Sequence, residues 1–519
     1  MVAAPGKADL VLHEGLVLGH PGIDSVAISR GLIVAHGPFA ELKPLVGPRT
    51  HLIKLAGRTV APGFIDSHLH FREAAAAATG VSVQRCRTVG DLLADLRLAA
   101  GKTPPGNWMR AFGCDEALLL DKRGPTRAEL DESLPKNPLR LRHQTLHATW
   151  LNSRAIALLG LEAPGFNPPY GANMIRDAAG KLTGLVVGME MWLSDHLPPV
   201  TVAEAESRAR IMSRELAAAG VTAFTDATTR NGPVEVEQFA KLAQSNAICQ
   251  RVCVMIGGQH LDAADRCEQL ARAAGISLAG AKFMPGYQYD PAGLSRSVRS
   301  ALECGLDCAF HVTEIEELEE SIVAIEAVKT QFDGVPEMPR FRLEHGGIIT
   351  PNYIDRLMAA GVWVATNPGF IYFRGPKYAT EPGLVAHLYR ARSLKDANVH
   401  LVGATDAPVT PARPLAAIAA AVSRTSLDGV ELAPAEALSV QDAFALFTSD
   451  AARLARLEAG VIEPDHLADL IVLPRDPFSL NAADLMNLVV DMTIVGGRVV
   501  YERGRPAIAS SDSADLRST

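Results

Sequence analysis

Residues 61–70 read APGFIDSHLH: an apolar entry, an aspartate, and then two histidines separated by one leucine. The segment has the apolar, turn-bounded character of a buried strand. Residues two apart on a strand project to one face, so His68 and His70 can aim two imidazoles at one ion. In a chain with 15 histidines one such pair is weak evidence by itself. Its weight comes from the segments that follow.

Seven more short β-rich stretches lie downstream: GVTAFTDA from Gly220, QRVCVMI from Gln250, GAKFM from Gly280, DCAFHV from Asp307, RFRLEH from Arg340, VWVATNP from Val362 and HLVGATDA from His400. Longer stretches with helical apolar spacing separate them, and from the second strand onward the starts recur about every 30–40 residues, the length of a βα unit. This alternation predicts an α/β fold with a parallel sheet, and eight units predict a closed (β/α)8 TIM barrel over residues 61–454. Metal-capable side chains stand at the C-terminal ends of four further strands: Lys282 on the fourth, His311 on the fifth, His345 on the sixth and Asp406 on the eighth. A barrel gathers those ends at one mouth. The candidate metal set is therefore His68, His70, Lys282, His311, His345 and Asp406. Any one of them alone could be a capped strand end or a satisfied core group.

The one large gap, roughly residues 72–199, falls between the first and second strands and must hold an insertion. It contains a Pro/Gly-rich loop, APGFNPPYG, and a hairpin-like MIRDAAGKLTG. Loops after barrel strands build the active-site face, so this insertion is expected to cover the site. Residues 1–60 and 455–508 have another texture, with short apolar strands and Gly-centred turns in ADLVLHEGLVLG, DSVAISRGLIVAHG, ADLIVL and MTIVGGRVVYERG. Neither end has enough strands to bury a core alone. The expectation is a small β-sandwich formed by both termini, with the barrel threaded between them. Residues 509–519 are polar and read as a disordered tail.

The 519 residues carry 50 Lys+Arg against 58 Asp+Glu, a net charge of −8, and no basic block tracks phosphates. Nucleic acid and anionic membrane are therefore poor partners, which leaves a small molecule as the substrate; a homo-oligomer stays open. The seven cysteines are odd in number and include no C-x-x-C pair, which reads as buried thiols in a reducing compartment. No stretch has the makeup of a signal peptide or a bilayer span, so a soluble cytoplasmic protein is expected.

APGFIDSHLH, LEHGGIITP from Leu343, GATDAPV from Gly403 and GVIEPDHLADLIVL from Gly460 resemble signatures of the amidohydrolase superfamily of metal-dependent hydrolases. LHATWLNSRA and IRDAAGKLTG resemble the branch that contains the N-substituted formamide deformylases. The resemblance implies that His68 and His70 bind one metal and that His311 and His345 bind a second. Asp406 would complete the first, and Lys282, carboxylated by carbon dioxide, would bridge the two. The run KFMPGYQYD around Lys282 departs from the lysine-plus-Asp-Gly pattern common in the branch. Two zinc ions are implied, with Mn, Fe or Co as alternatives. Asp406 and His345 would be the catalytic pair, with Asp406 as base toward a metal-bound hydroxide. The implied reaction is cleavage of a non-peptide carbon–nitrogen bond, an amide, in a small hydrophobic or aromatic molecule.

Two other readings compete. His311 and Glu314 in HVTE resemble the H-x-x-E of mononuclear aminohydrolases, which implies deaminase or dehalogenase chemistry on a heterocycle with Glu314 as acid/base. Glu314 equally suits the start of a helix. The third reading is a non-catalytic binding protein on the same fold. Candidate substrate contacts are His147 with Asn152, Glu190 beside Met189 with Trp192, and Tyr287, Tyr289, Phe370 and Tyr372 beside Phe373. His143 and His147, four apart, would share a helix face. Core packing is the equal alternative for each of these, and an apolar pocket follows only if they line it.

Overall fold

The computed structural model describes residues 6–169, 171–198, 200–286, 291–329 and 339–505. Tyr287, Tyr289 and the 509–519 tail lie outside the described residues. The chain divides into two compact units: Met1–His70 with Ser213–Thr519, and Phe71–Met212.

In the first unit, eight strands form one sheet in chain order: β1 (Phe64–Leu69), β2 (Val221–Asp226), β3 (Arg251–Gly257), β4 (Ser277–Phe283), β5 (Cys308–Val312), β6 (Phe341–His345), β7 (Trp363–Thr366) and β8 (His400–Gly403). Every neighbouring pair is parallel. Parallel neighbours need crossover connections, and helices such as Pro233–Gln244, Ala264–Ala273 and Pro351–Ala360 supply them. Beyond the end of β8, the Asp406 N–H donates to the His68 carbonyl at 2.9 Å and the His70 N–H to the Ala407 carbonyl at 2.8 Å. These two bonds join the eighth strand's end to the first and close the sheet as a TIM barrel, as the alternating pattern predicts.

The termini form a β-sandwich. One sheet orders Leu32–Gly37, Ser25–Ser29, Leu10–His13 and His51–Lys54; the other orders Leu16–Val17, Thr59–Pro62, Leu470–Leu473, Met492–Val495 and Arg498–Glu502. Leu12, Val26 and Ile33 from the N-terminal half share one fully buried core with Leu470, Val472 and Ile494 from the C-terminal half. Each half hides an apolar face that the other needs, so neither is a module by itself.

The second unit has its own six-stranded sheet, ordered Asn173–Arg176, Leu182–Val187, Ala148–Leu151, Leu139–His143, Met109–Cys114 and Val81–Ser82. MIRDAAGKLTG is the antiparallel hairpin its pattern suggests. The sheet as a whole was not legible, because its strands are short and mix arginines with apolar residues, as in LRLRH. His143 and His147 do not share a helix face. They flank a turn between the antiparallel strands Leu139–His143 and Ala148–Leu151, with Leu146 at φ 67° and the His143 ring bonded to Thr145 at 2.7 Å. A four-residue spacing fits one helical turn as well as a tight strand connection, and the strand pairing decides between them.

All seven cysteines are unpaired; Cys114, Cys253, Cys267 and Cys308 are buried, whereas Cys304 is exposed and Cys86 and Cys249 are half-buried. Among the described residues no helix is long and apolar enough to cross a membrane.

Candidate metal centre

The site grows from the strand ends at the C-terminal rim of the barrel. β1 carries one extra residue opposite β2, because Phe224 pairs with Asp66 and Asp226 with Leu69. Such a bulge re-aims side chains at a rim, and this one falls at Ser67 and His68. His68 Nε2 lies 3.5 Å and His70 Nε2 3.2 Å from Asp406 Oδ1. Asp406 Oδ2 is 4.0 Å from His345 Nδ1, and His345 Nε2 is 3.1 Å from His311 Nδ1. The fold thus brings His68, His70, His311, His345 and Asp406 together. Lys282, on β4, is 1% exposed, and its charge acts on His68, His345 and Glu344.

Two of these residues sit in a backbone conformation that L-residues avoid. His345 has φ 73° and Asp406 φ 57°, each costing about 1–2 kcal/mol for a non-glycine residue. His345 is the last residue of β6 and Asp406 lies three residues beyond the end of β8, so each sits in the turn that leaves its strand at the rim. The glycines of LEHGG complete that turn after β6: Gly346 is itself left-handed (φ 56°), and a Cβ on Gly347 would stand 2.6 Å from the Thr313 carbonyl oxygen.

Three of the four candidate imidazoles are oriented from behind. His345 Nδ1 bonds Asn367 Oδ1 at 2.8 Å, so Nδ1 carries the proton and Nε2 keeps its lone pair. His70 Nδ1 meets Thr228 Oγ1 at 2.9 Å. His68 Nδ1 meets Glu344, a fully buried carboxylate that is also clasped by the Arg342 guanidinium; Arg342 Nη2 reaches Glu344 Oε2 at 3.0 Å and the Ser67 carbonyl at 2.8 Å. Asp66 ties the first strand to the eighth, accepting from Thr405 Oγ1 at 2.5 Å and Thr405 N–H at 3.0 Å. Thr228, Glu344, Arg342, Asn367 and Asp66 were missed from sequence. A signal existed for one pair, because Arg342 and Glu344 stand two apart in a buried strand and so face the same side with opposite charges.

The electrostatics suit metal ligation. Burial pushes His68 down to about 3, with the Lys282 charge adding to the effect, and burial also lowers His345; both imidazoles are neutral donors at pH 7. Burial alone would raise Asp406, but the imidazoles of His70, His345 and His68 outweigh it and hold the carboxyl well below its usual range. Burial likewise opposes ionisation of Glu344, and Arg342, Lys282 and His68 overcome it, so this carboxylate too stays charged. Lys282 is lowered by burial to about 8. His68 Nε2 and Lys282 Nζ are buried atoms with no hydrogen-bond partner among the described residues. Leaving such atoms bare costs about 1–3 kcal/mol each. A divalent ion between two imidazoles and a carboxylate removes that penalty for the ring nitrogen, and the nitrogen/oxygen donor set suits Zn, Mn, Fe or Co.

The other candidates are placed as follows. Phe370, 6% exposed, stacks beside His345 with ring centroids 6.3 Å apart, and Tyr389 meets Phe370 edge-on at 5.7 Å. Tyr372 is half-buried and packs edge-on against Phe373. Glu314 is exposed and lies just past β5, where its N–H donates to the Glu317 carboxylate at the start of the helix Ile315–Lys329. In the second unit, Asn152 is fully buried and wholly engaged: its amide oxygen caps the helix Ser153–Leu158 and accepts from the Leu139 N–H, while its amide nitrogen donates to the Leu134 and Asn137 carbonyls. It is a structural cap with no atom left for a substrate. His147 sits in the turn before the strand Ala148–Leu151. Trp192 packs between Phe166 and His196. Glu190 begins the helix Glu190–His196, with its Oε1 buried and without a hydrogen-bond partner among the described residues and its pKa raised by burial.

A closed parallel barrel with imidazoles, a lysine and an aspartate converging at its C-terminal rim defines a metal-dependent hydrolase acting on carbon–nitrogen bonds. The chain belongs to the amidohydrolase family, whose sequence model matches residues 51–501. It is 27% identical over 521 aligned residues to the N-substituted formamide deformylase of Arthrobacter pascens, a match covering 92% of this chain and 95% of that protein. Among solved structures, an uncharacterized metal-dependent hydrolase from Pyrococcus horikoshii superposes with a TM-score of 0.72 at 21% identity, covering 91% of this chain and 99% of that one. The N-isopropylammelide isopropylaminohydrolase of Burkholderia multivorans superposes with a TM-score of 0.56 at 13% identity, covering 97% and 100%. These two likenesses speak for the fold.

Proposed function

We propose that the protein hydrolyses a non-peptide amide bond of a small, apolar or aromatic molecule, with two zinc ions held by His68, His70, His311, His345, Asp406 and a carboxylated Lys282. The carrying observation is the convergence of His68 Nε2 and His70 Nε2 on Asp406 Oδ1, at 3.5 and 3.2 Å, at the rim where β8 closes on β1. The second pair, His345 and His311, supports a second ion, and the buried Lys282 amine, without a hydrogen-bond partner among the described residues, supports a bridging carbamate. Phe370 and Tyr389 beside His345 support an apolar acyl or N-substituent. The resemblance to the formamide deformylase supports an amide over other carbon–nitrogen bonds. The seven unpaired thiols support a reducing, cytoplasmic location.

Bound zinc supplies Lewis acidity toward the carbonyl and lowers the pKa of water toward ~7. The chain's own residues do the rest. Asp406, held ionised, takes a proton from the attacking water at its carboxylate and returns it to the leaving nitrogen, which departs badly as an anion. Thr228, Glu344 and Asn367 fix the tautomers of His70, His68 and His345, so that each presents a lone pair inward.

Asp406→Asn keeps shape and removes the base. Turnover on a panel of N-formyl, N-acyl and cyclic amides is expected to fall by about 10²–10⁴, while elemental analysis still finds metal bound. Near wild-type turnover at full metal content would refute the proton transfer, and preference for charged substrates would refute the apolar pocket.

A further inference from the structure

Far along the sequence from the barrel ligands, the sandwich assembles another donor set. His20 lies in the turn after the strand Leu16–Val17, where its N–H donates to the Val17 carbonyl and its own carbonyl accepts from the Ile23 N–H. His36 lies on the strand Leu32–Gly37, opposite Val26. The return segment runs alongside that strand, since the Ile33 N–H donates to the His466 carbonyl at 2.8 Å and the Asp465 N–H to the Ile33 carbonyl at 2.9 Å. Ile462 is sunk in the sandwich core at 2% exposure, and the next residue, Glu463, turns outward with its side chain 48% exposed. The result is that His36 Nε2 stands 3.1 Å from Glu463 Oε2 and His20 Nε2 3.8 Å from Glu463 Oε1, with the imidazole centroids 4.5 Å apart. One ligand atom from each residue lies within 4.8 Å of the others.

We propose that His20, His36 and Glu463 form a second divalent-metal site, of the zinc type, that pins the C-terminal return to the N-terminal strands. Two donors on a tetrahedral zinc at ~2.0–2.1 Å stand about 3.3 Å apart, and the two nitrogen–oxygen separations bracket that value. Both imidazoles direct Nε2 at the two oxygens of one carboxylate. Two histidinium rings this close would repel one another, whereas two neutral imidazoles and a carboxylate offer three lone pairs to a cation. The exposed side of Glu463 leaves room for water as the fourth ligand, so the ion exchanges with solvent. His36 and Glu463 are 427 residues apart in sequence. An ion between them binds only the folded sandwich, and its binding therefore adds to folding stability. The site takes no part in amide hydrolysis, and its fate is independent of that reading.

The test compares wild type with Glu463→Gln and His20→Asn after equilibrium dialysis of each full-length protein against free zinc. Elemental analysis is expected to find one zinc fewer per chain in both variants, with kcat unchanged. The thermal midpoint of wild type rises with free zinc over a range in which neither variant responds. Equal zinc content in wild type and in both variants would overturn the proposal, as would a zinc-dependent midpoint that survives in the variants. Because the altered side chains are partly exposed, retained turnover confirms that each variant is folded.

Discussion

Glu344→Gln probes a buried charge pair that stands behind the candidate metal ligand His68. The carboxylate is 0% exposed and serves two partners: it accepts the His68 Nδ1 proton and it is clasped by Arg342, itself 3% exposed. The substitution keeps the volume and removes the charge. Arg342 is then a buried cation without its counter-charge, and breaking a buried pair in this way costs about 3–5 kcal/mol. Separately, a metal-ligating histidine that loses its carboxylate partner typically loses 10–100-fold in metal affinity, about 1.4–2.7 kcal/mol. The two losses fall on different observables. Urea denaturation of the metal-free protein reads the first, and competition against a chelator reads the second. Adding Arg342→Met to Glu344→Gln removes the stranded cation, so stability is expected to recover by about 1–4 kcal/mol while metal affinity stays low. If Glu344→Gln retains metal within about twofold and stability within about 0.5 kcal/mol of wild type, the carboxylate neither orients His68 nor neutralises Arg342, and the reasoning fails.

Lys282 makes the opposite case, because its buried amine has no hydrogen-bond partner among the described residues. Lys282→Met is expected to leave the metal-free protein at least as stable as wild type, by 0 to about 2 kcal/mol, and to cut bound metal at the barrel rim from two ions to one; undiminished metal content would remove the bridging role. Asn152→Ala strips a buried cap of its four hydrogen bonds and is expected to destabilise the protein by about 2–4 kcal/mol, with kcat/KM per folded molecule unchanged. A large loss of kcat/KM in a fully folded Asn152→Ala sample would return this residue to the substrate site.

The barrel was legible because its signal is repeated: eight β-rich segments, each followed by a helical period, allow few topologies. The sandwich was legible from two termini that each lacked partners for an apolar face. The candidate metal residues could be picked out because metal-capable side chains recur at strand ends. What orients them could not, since Thr228, Asn367 and Asp66 are ordinary polar residues whose partners lie on neighbouring strands. The left-handed turns at His345 and Asp406 also leave no local mark, because tertiary packing imposes them on residue types that disfavour them. Asn152 stands in LHATWLNSRA, a motif that resembles the deformylase branch, and reads as a candidate substrate contact with core packing as the equal alternative. Its amide is engaged by the helix start and by three backbone groups of the single stretch 134–139.

The bonds that shut the barrel carry an implication for how the enzyme comes into being. Asp406 and Ala407 are joined by their backbones to His68 and His70, so the first cation pocket has no rim until the ribosome has made the eighth strand. A nascent chain that stops short of that point holds two histidines on an open sheet edge and no aspartate between them. At the metal site proposed above, capture of an ion therefore waits for the eighth strand, and a chain cut short of Asp406 lacks one of the three ligands.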